Sequence, residues 1–116
     1  MNYSVISIHT FDKQAKRLQK KFPSLKKELS NIIDSLEKDP FLGVELKYDC
    51  FKIKLGIASK GRGKSGGGRV ITNIHILKKT VYLLSIYDKS EQDDISDKEL
   101  LELLKELCCG QFYRSD

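Results

Sequence analysis

Two lysines two positions apart, Lys52 and Lys54, are followed beyond a glycine-rich stretch by Arg69, Asn73 and His75, then by Ser85, Tyr87 and Lys89. Gathered in one place, these side chains could act on a phosphodiester. Lysine and arginine stabilise the negative charge that develops on a phosphorane. A lysine crowded by other cations has a lowered pKa and can serve as a base. A tyrosine can stack on a nucleobase or help to move a proton. RNA supplies its own nucleophile, the 2′-OH. Attack on the adjacent phosphate then needs a base, an acid and charge stabilisation, with no metal, no cofactor and no protein nucleophile.

Whether these residues meet depends on strand parity, because side chains alternate between the two faces of a sheet. In 51–57 the apolar Phe51, Ile53, Leu55 and Ile57 belong to the core side, which leaves Lys52 and Lys54 opposite. In 69–77, Val70, Ile74 and Ile76 mark the core and put Arg69, Asn73 and His75 on the other face. In 81–87, Tyr82, Leu84 and Ile86 read as buried, with Ser85 and Tyr87 opposite and Lys89 beyond. The expectation is one open, polar sheet face, which a one-residue bulge would disturb.

The elements that position this face are legible from periodicity. Tyr3–Thr10 reads as a strand. Phe11–Phe22 carries a helical stripe (Phe11, Ala15, Leu18, Phe22), with Thr10 or Asp12 as candidate cap. Pro23 breaks it, and Ser24 can cap a second helix with Leu25, Leu29, Ile32, Ile33 and Leu36 inside, ending near Asp39–Pro40. Leu42–Asp49 reads as a connection. Three β runs follow, 51–57, 69–77 and 81–87, as an antiparallel meander. Ser96 heads a helix whose apolar side is Leu100, Leu101, Leu103, Leu104 and Leu107. The order β-α-α-β-β-β-α is an α+β fold, helices packed on an antiparallel sheet. The chain of 116 residues is read as one domain, with a frayed tail from Gly110.

Charge is divided along the chain. Residues 1–87 hold 17 basic and 7 acidic residues, a net +10; residues 88–116 hold 4 and 9, a net −5. Seven cations (Lys47, Lys52, Lys54, Lys60, Arg62, Lys64, Arg69) against Asp49 alone fall within 47–69. That concentration suits a polyanion, with Lys60, Arg62 and Lys64 as loop contacts to RNA. Other classes fit poorly. Ala58–Ser65 nearly spells a phosphate-binding loop, but that motif must open a helix, and here Gly66–Gly68 lead into a β run. Cys50, Cys108 and Cys109 form neither a disulfide framework nor a metal spacing, and His9 and His75 are too few for a zinc site or a serine triad. No apolar run approaches the roughly 18 residues of a membrane span. The N-terminus lacks a leader pattern, so a cytoplasmic location is expected.

The segment Cys50–Leu55, the loop Lys64-Ser65-Gly66-Gly67-Gly68-Arg69 and the stretch Val81–Glu91 ending Tyr87-Asp88-Lys89-Ser90-Glu91 resemble RelE-family toxins, most nearly the HigB-like branch, over about residues 3–108. The resemblance implies a bacterial type II toxin–antitoxin toxin that cleaves mRNA in the ribosomal A site and leaves a 2′,3′-cyclic phosphate. By it, Lys52 and Lys54 take general-base and phosphate-binding roles, Arg69 the transition state, and Lys89 the phosphate or leaving group. Tyr87 is implied as a stacking or acid residue. It also implies contacts with 16S ribosomal RNA and a separate antitoxin, often a helix-turn-helix protein. RelE proper has a tyrosine in its final helix, where this sequence has Leu and Glu; Tyr113 lies beyond it. The acidic helix 97–107 is unlike a surface made to approach RNA, so it either sits at the far edge of the sheet or moves. Two rival readings share the scaffold: a ParE-like gyrase poison, which would not need Lys52, Lys54 and Arg69, and an inactive module that only binds an antitoxin.

Overall fold

The computed structural model describes residues 2–61, 63 and 66–108. Arg62, Lys64 and the tail beyond Cys108 lie outside the described residues, and with them the expected loop contacts of Arg62 and Lys64 and the frayed end. The chain runs β1 (Ser4–Ser7), α1 (His9–Lys21), α2 (Leu25–Lys38), β2 (Val44–Glu45), β3 (Cys50–Leu55), a 3-10 turn (Ala58–Lys60), β4 (Gly68–His75), β5 (Thr80–Asp88) and α3 (Asp97–Cys108). The α+β class and element order are those expected, with one strand added.

The five strands lie in the order β1-β5-β4-β3-β2. β3, β4 and β5 form the antiparallel meander. Two features differ from the expectation. β1 pairs parallel to β5, Ser4 opposite Thr80, because α1 and α2 carry the chain away from β1 before the sheet is built. Within the presumed connection, Val44–Glu45 forms β2 against Phe51 and Lys52; two residues are too few to show a period. Gly43 permits this approach. Its φ is +102°, and a Cβ there would stand 2.5 Å from the Lys52 carbonyl oxygen.

The core lies between the sheet and the first two helices. Phe11, Ala15 and Leu18 of α1 and Leu25, Leu29 and Leu36 of α2 are buried with Ile53, Val70 and Ile86, which form one cross-strand row. Complete burial of a Leu or Ile side chain stabilises by about 1.5–3 kcal/mol, so this row fixes which way the sheet faces. β4 ends at His75, and Ile76 to Lys79 make the turn; Ile76 and Leu77, expected within the strand, are exposed there.

Capping is partly non-local. Ser96 and Glu99 form the expected box at α3: Glu99 N donates to Ser96 Oγ at 3.1 Å and Ser96 N to Glu99 Oε1 at 3.2 Å. At α1, neither Thr10 nor Asp12 is the cap; Ile8 holds that position. Thr10 N instead donates to Glu106 Oε2 of α3 at 3.0 Å, and Thr10 Oγ1 donates to Glu106 Oε1. A carboxylate at a helix N-terminus satisfies free N–H groups and opposes the helix dipole. Ser24 stands at the α2 cap position without a side-chain cap bond, its hydroxyl engaged with Glu28 and Ser59.

Candidate RNA-processing site

Strand register assembles the centre of the site. Lys54 of β3 stands opposite Arg69 of β4, and Arg69 opposite Tyr87 of β5. One row further along, Lys52 is opposite Ile71, which is opposite Ser85. These rows keep the parity read from the sequence. Just past them, between Ile71 and Thr72, the β4–β5 register shifts. A bulge breaks strict alternation, and its position spares the two rows that matter.

Asn73, His75 and Lys60 are not brought into these rows. Asn73 Nδ2 donates to the Tyr48 carbonyl at 2.9 Å and the Asp49 carbonyl at 3.4 Å. It clamps a turn in which both residues have positive φ, a conformation non-glycine side chains rarely adopt. His75 lies at the far end of β4, about 20 Å from Arg69 at strand rise, where its Nδ1 accepts from Lys78 N at 3.3 Å. Lys60 turns inward. Its ammonium donates to the carboxylate of Asp88 and to the Gly66 and Gly67 carbonyls at 2.9 and 3.2 Å.

Asp88 anchors the loop from the other face of β5. It is 1% exposed and also accepts from Ser90 N at 3.0 Å and Ser90 Oγ at 2.7 Å. Burial alone would raise its pKa; the bonds from Lys60 and Ser90 outweigh that and hold the carboxyl below its ordinary range. The glycine-rich loop is thereby fastened to the end of β5, and Lys89 N donates to the Gly67 carbonyl at 3.0 Å. Gly67 allows the closure, since a Cβ there would lie 2.1 Å from the Leu55 carbonyl oxygen.

The face expected to be open is covered. Arg69 is 6% and Tyr87 4% exposed, although Lys54 stays exposed and has no ion-pair partner among the described residues. The covering chain is the acidic stretch leading into α3. Asp94 Oδ1 accepts from Lys52 Nζ at 3.1 Å, Asp93 Oδ1 from Lys89 Nζ, and Asp97 Oδ2 from Lys47 Nζ at 2.9 Å. Asp94 is held below the ordinary carboxyl range by the Ile95 N–H and by Lys52, and Asp93 by Lys89. Tyr87 is pushed up to about 12, mainly by burial and next by Asp94, with Arg69 opposing. Its hydroxyl is buried with no hydrogen-bond partner among the described residues. Arg69 Nη1 donates to the Gly68 carbonyl at 2.8 Å.

The acidic helix is therefore not at the far edge of the sheet. The carboxylates of 93–99 were not singled out from sequence as site residues, and neither was Asp88. Their signal was the abrupt reversal of charge after Lys89.

A small α+β domain with a cationic cross-strand row beneath a C-terminal helix defines a class that comparison makes specific. The family model described as the RelE toxin of the RelE/RelB toxin–antitoxin system matches residues 8–113. A solved structure of the E. coli toxin RelE, a mutant form in the free state, shares the fold with a TM-score of 0.58 at 19% identity, covering 92% of this chain and 99% of that one. The chain belongs to the RelE toxin family; it is a toxin of a toxin–antitoxin system, and its partner is an antitoxin.

Proposed function

We propose that this toxin is an endoribonuclease that cuts mRNA engaged on the ribosome, by attack of a ribose 2′-oxygen on the adjacent phosphate. The observation that carries the reading is the row Lys54–Arg69–Tyr87, with Lys52 beside it. In the step proposed, Lys54 takes the 2′-OH proton and the 2′-oxygen bonds to phosphorus. Arg69 stabilises the extra negative charge. The bond from phosphorus to the 5′-oxygen breaks, leaving a 2′,3′-cyclic phosphate. Tyr87 is suited to give the departing 5′-oxygen its proton, because a phenol with a pKa near 12 is fully protonated at neutral pH. Lys52 and Lys89 bind flanking phosphates as point charges. The toxin works in the cytoplasm, touching 16S ribosomal RNA through its basic surface, and a helix-turn-helix antitoxin of the kind paired with HigB-like toxins restrains it.

Primer extension on a translated reporter mRNA, with and without ribosomes, tests this for wild type and Arg69→Ala. Cuts inside codons that require both ribosomes and Arg69 are expected. Growth arrest without any cuts would overturn the reading and point to gyrase, the target of ParE-like toxins on this scaffold.

A further inference from the structure

We infer that the acidic stretch Asp93–Glu99 is an internal competitor for RNA: its carboxylates occupy the cation sites that phosphates take, and it must leave before Arg69 and Tyr87 can act. The inference rests on the RNA reading above and adds a regulatory device to it.

Three observations carry it. The pairings are one to one, Asp94 on Lys52, Asp93 on Lys89 and Asp97 on Lys47. Two of those cations, Lys52 and Lys89, flank the cross-strand row, so the stretch follows the line a nucleic-acid backbone would need. Beneath it Tyr87 buries a hydroxyl that no group among the described residues pairs with. Leaving a buried polar group unsatisfied is costly, and exposure of the site relieves that cost. The apolar anchorage of the cover is partial: of Ile95, Leu100, Leu103, Leu104 and Leu107, which pack against the core, Leu100 is fully buried and the others partly so, and Leu101 is exposed. The ion pairs above and Glu106 on Thr10 at the far end add to it.

Exchange of carboxylate for phosphate leaves each cation paired, so little is lost on opening. Lys54, exposed beside the cover, can receive a first phosphate before the cover moves. RNA then gains by bringing several linked phosphates at once and releasing its counterions. Apparent affinity is lowered by the fraction of molecules that are open.

The test uses the full chain and a fluorescent single-stranded oligoribonucleotide bearing 2′-O-methyl groups, which cannot be cleaved. Binding is compared for wild type, Asp93→Asn/Asp94→Asn and the charge-matched control Asp34→Asn/Glu45→Gln, whose sites are exposed and lie on α2 and β2. Hydrogen exchange of α3 amides reports the cover. The expected result is binding about tenfold tighter for Asp93→Asn/Asp94→Asn than for the control, faster exchange across 97–104 in that variant, and faster exchange in wild type when RNA is added. Equal affinity of variant and control overturns the inference. If Lys52→Ala still weakens binding in that case, the RNA reading survives; if no form binds the oligoribonucleotide, the inference falls, and primer extension with ribosomes decides the RNA reading separately.

Discussion

Lys60 donates to Asp88 across the foot of the glycine-rich loop, joining the residue that ends the 3-10 turn to the one that closes β5. The pair sits on the core side of the strand whose opposite face carries Tyr87. It therefore sets the end of β5, and the start of β4 one strand over, from the face opposite Tyr87. A basic residue read from sequence as an RNA contact is the fastening of the loop.

Among the described residues, Lys60→Ala leaves the buried Asp88 carboxylate only Ser90 and the more distant Lys21 as partners. Removing one member of a buried pair costs about 3 kcal/mol, and urea unfolding should show a loss of that size. A midpoint unchanged from wild type would mean that the pair is not structural.

Lys54→Ala should behave in the opposite way. Its side chain is exposed, so stability should stay within about 0.5 kcal/mol of wild type. Loss of a general base lowers cleavage by about 100-fold or more. Codon-level cleavage assays set beside thermal melts separate the two effects; full activity in Lys54→Ala would remove it from the proton-transfer step.

Tyr87→Phe deletes a buried hydroxyl that has no acceptor among the described residues. The protein should be as stable as wild type or about 1 kcal/mol more so, yet cut more slowly. In wild type, ultraviolet titration should find one tyrosine ionising near pH 12. Because folding raises this pKa above the unfolded value near 10, the associated stability is complete below pH 10 and is lost as pH rises towards 12.

Acid acts on the Asp88 fastening and on the cover with the reverse sign. Asp88, Asp93 and Asp94 have folded pKa values below the ordinary 3.8. Their stabilising contribution is complete above the unfolded range and disappears as pH falls below 3.8 towards the folded values. Hydrogen exchange and urea midpoints measured from pH 6 to pH 2 should show α3 loosening in that window. Asp93→Asn/Asp94→Asn should flatten the response of α3, and an unaltered profile would mean that the cover is not held by these ion pairs.

What was legible in the sequence follows from how local each signal is. Alternation in 51–57 placed Lys52 and Lys54 correctly, because a half-buried strand writes its two faces into successive residues. The same parity placed Arg69 and Tyr87 in register, since both lie on the site side of the bulge, before it in β4 and after it in β5. Asn73 could not be read as a turn clamp, because the strained pair it serves, Tyr48 and Asp49, lies more than twenty residues away. The closure of the site was equally hidden. Ion pairs such as Lys52 with Asp94 bridge distant segments, and composition shows charges without showing who meets whom. The helical cap Glu106 offers on Thr10 failed for the same reason: local capping rules look only along the adjacent chain.

The parallel pairing of β1 with β5 has a consequence for how the toxin is made. The first strand must wait for Thr80–Leu83 before it has a neighbour, and synthesis proceeds at about 5–20 residues per second. During those seconds the sheet has one strand missing and the row through Arg69 and Tyr87 is unsupported. The residues that complete the row are followed almost at once by Asp93 and Asp94, so a newly made molecule acquires the row and the carboxylates that cover it in the same stretch of translation.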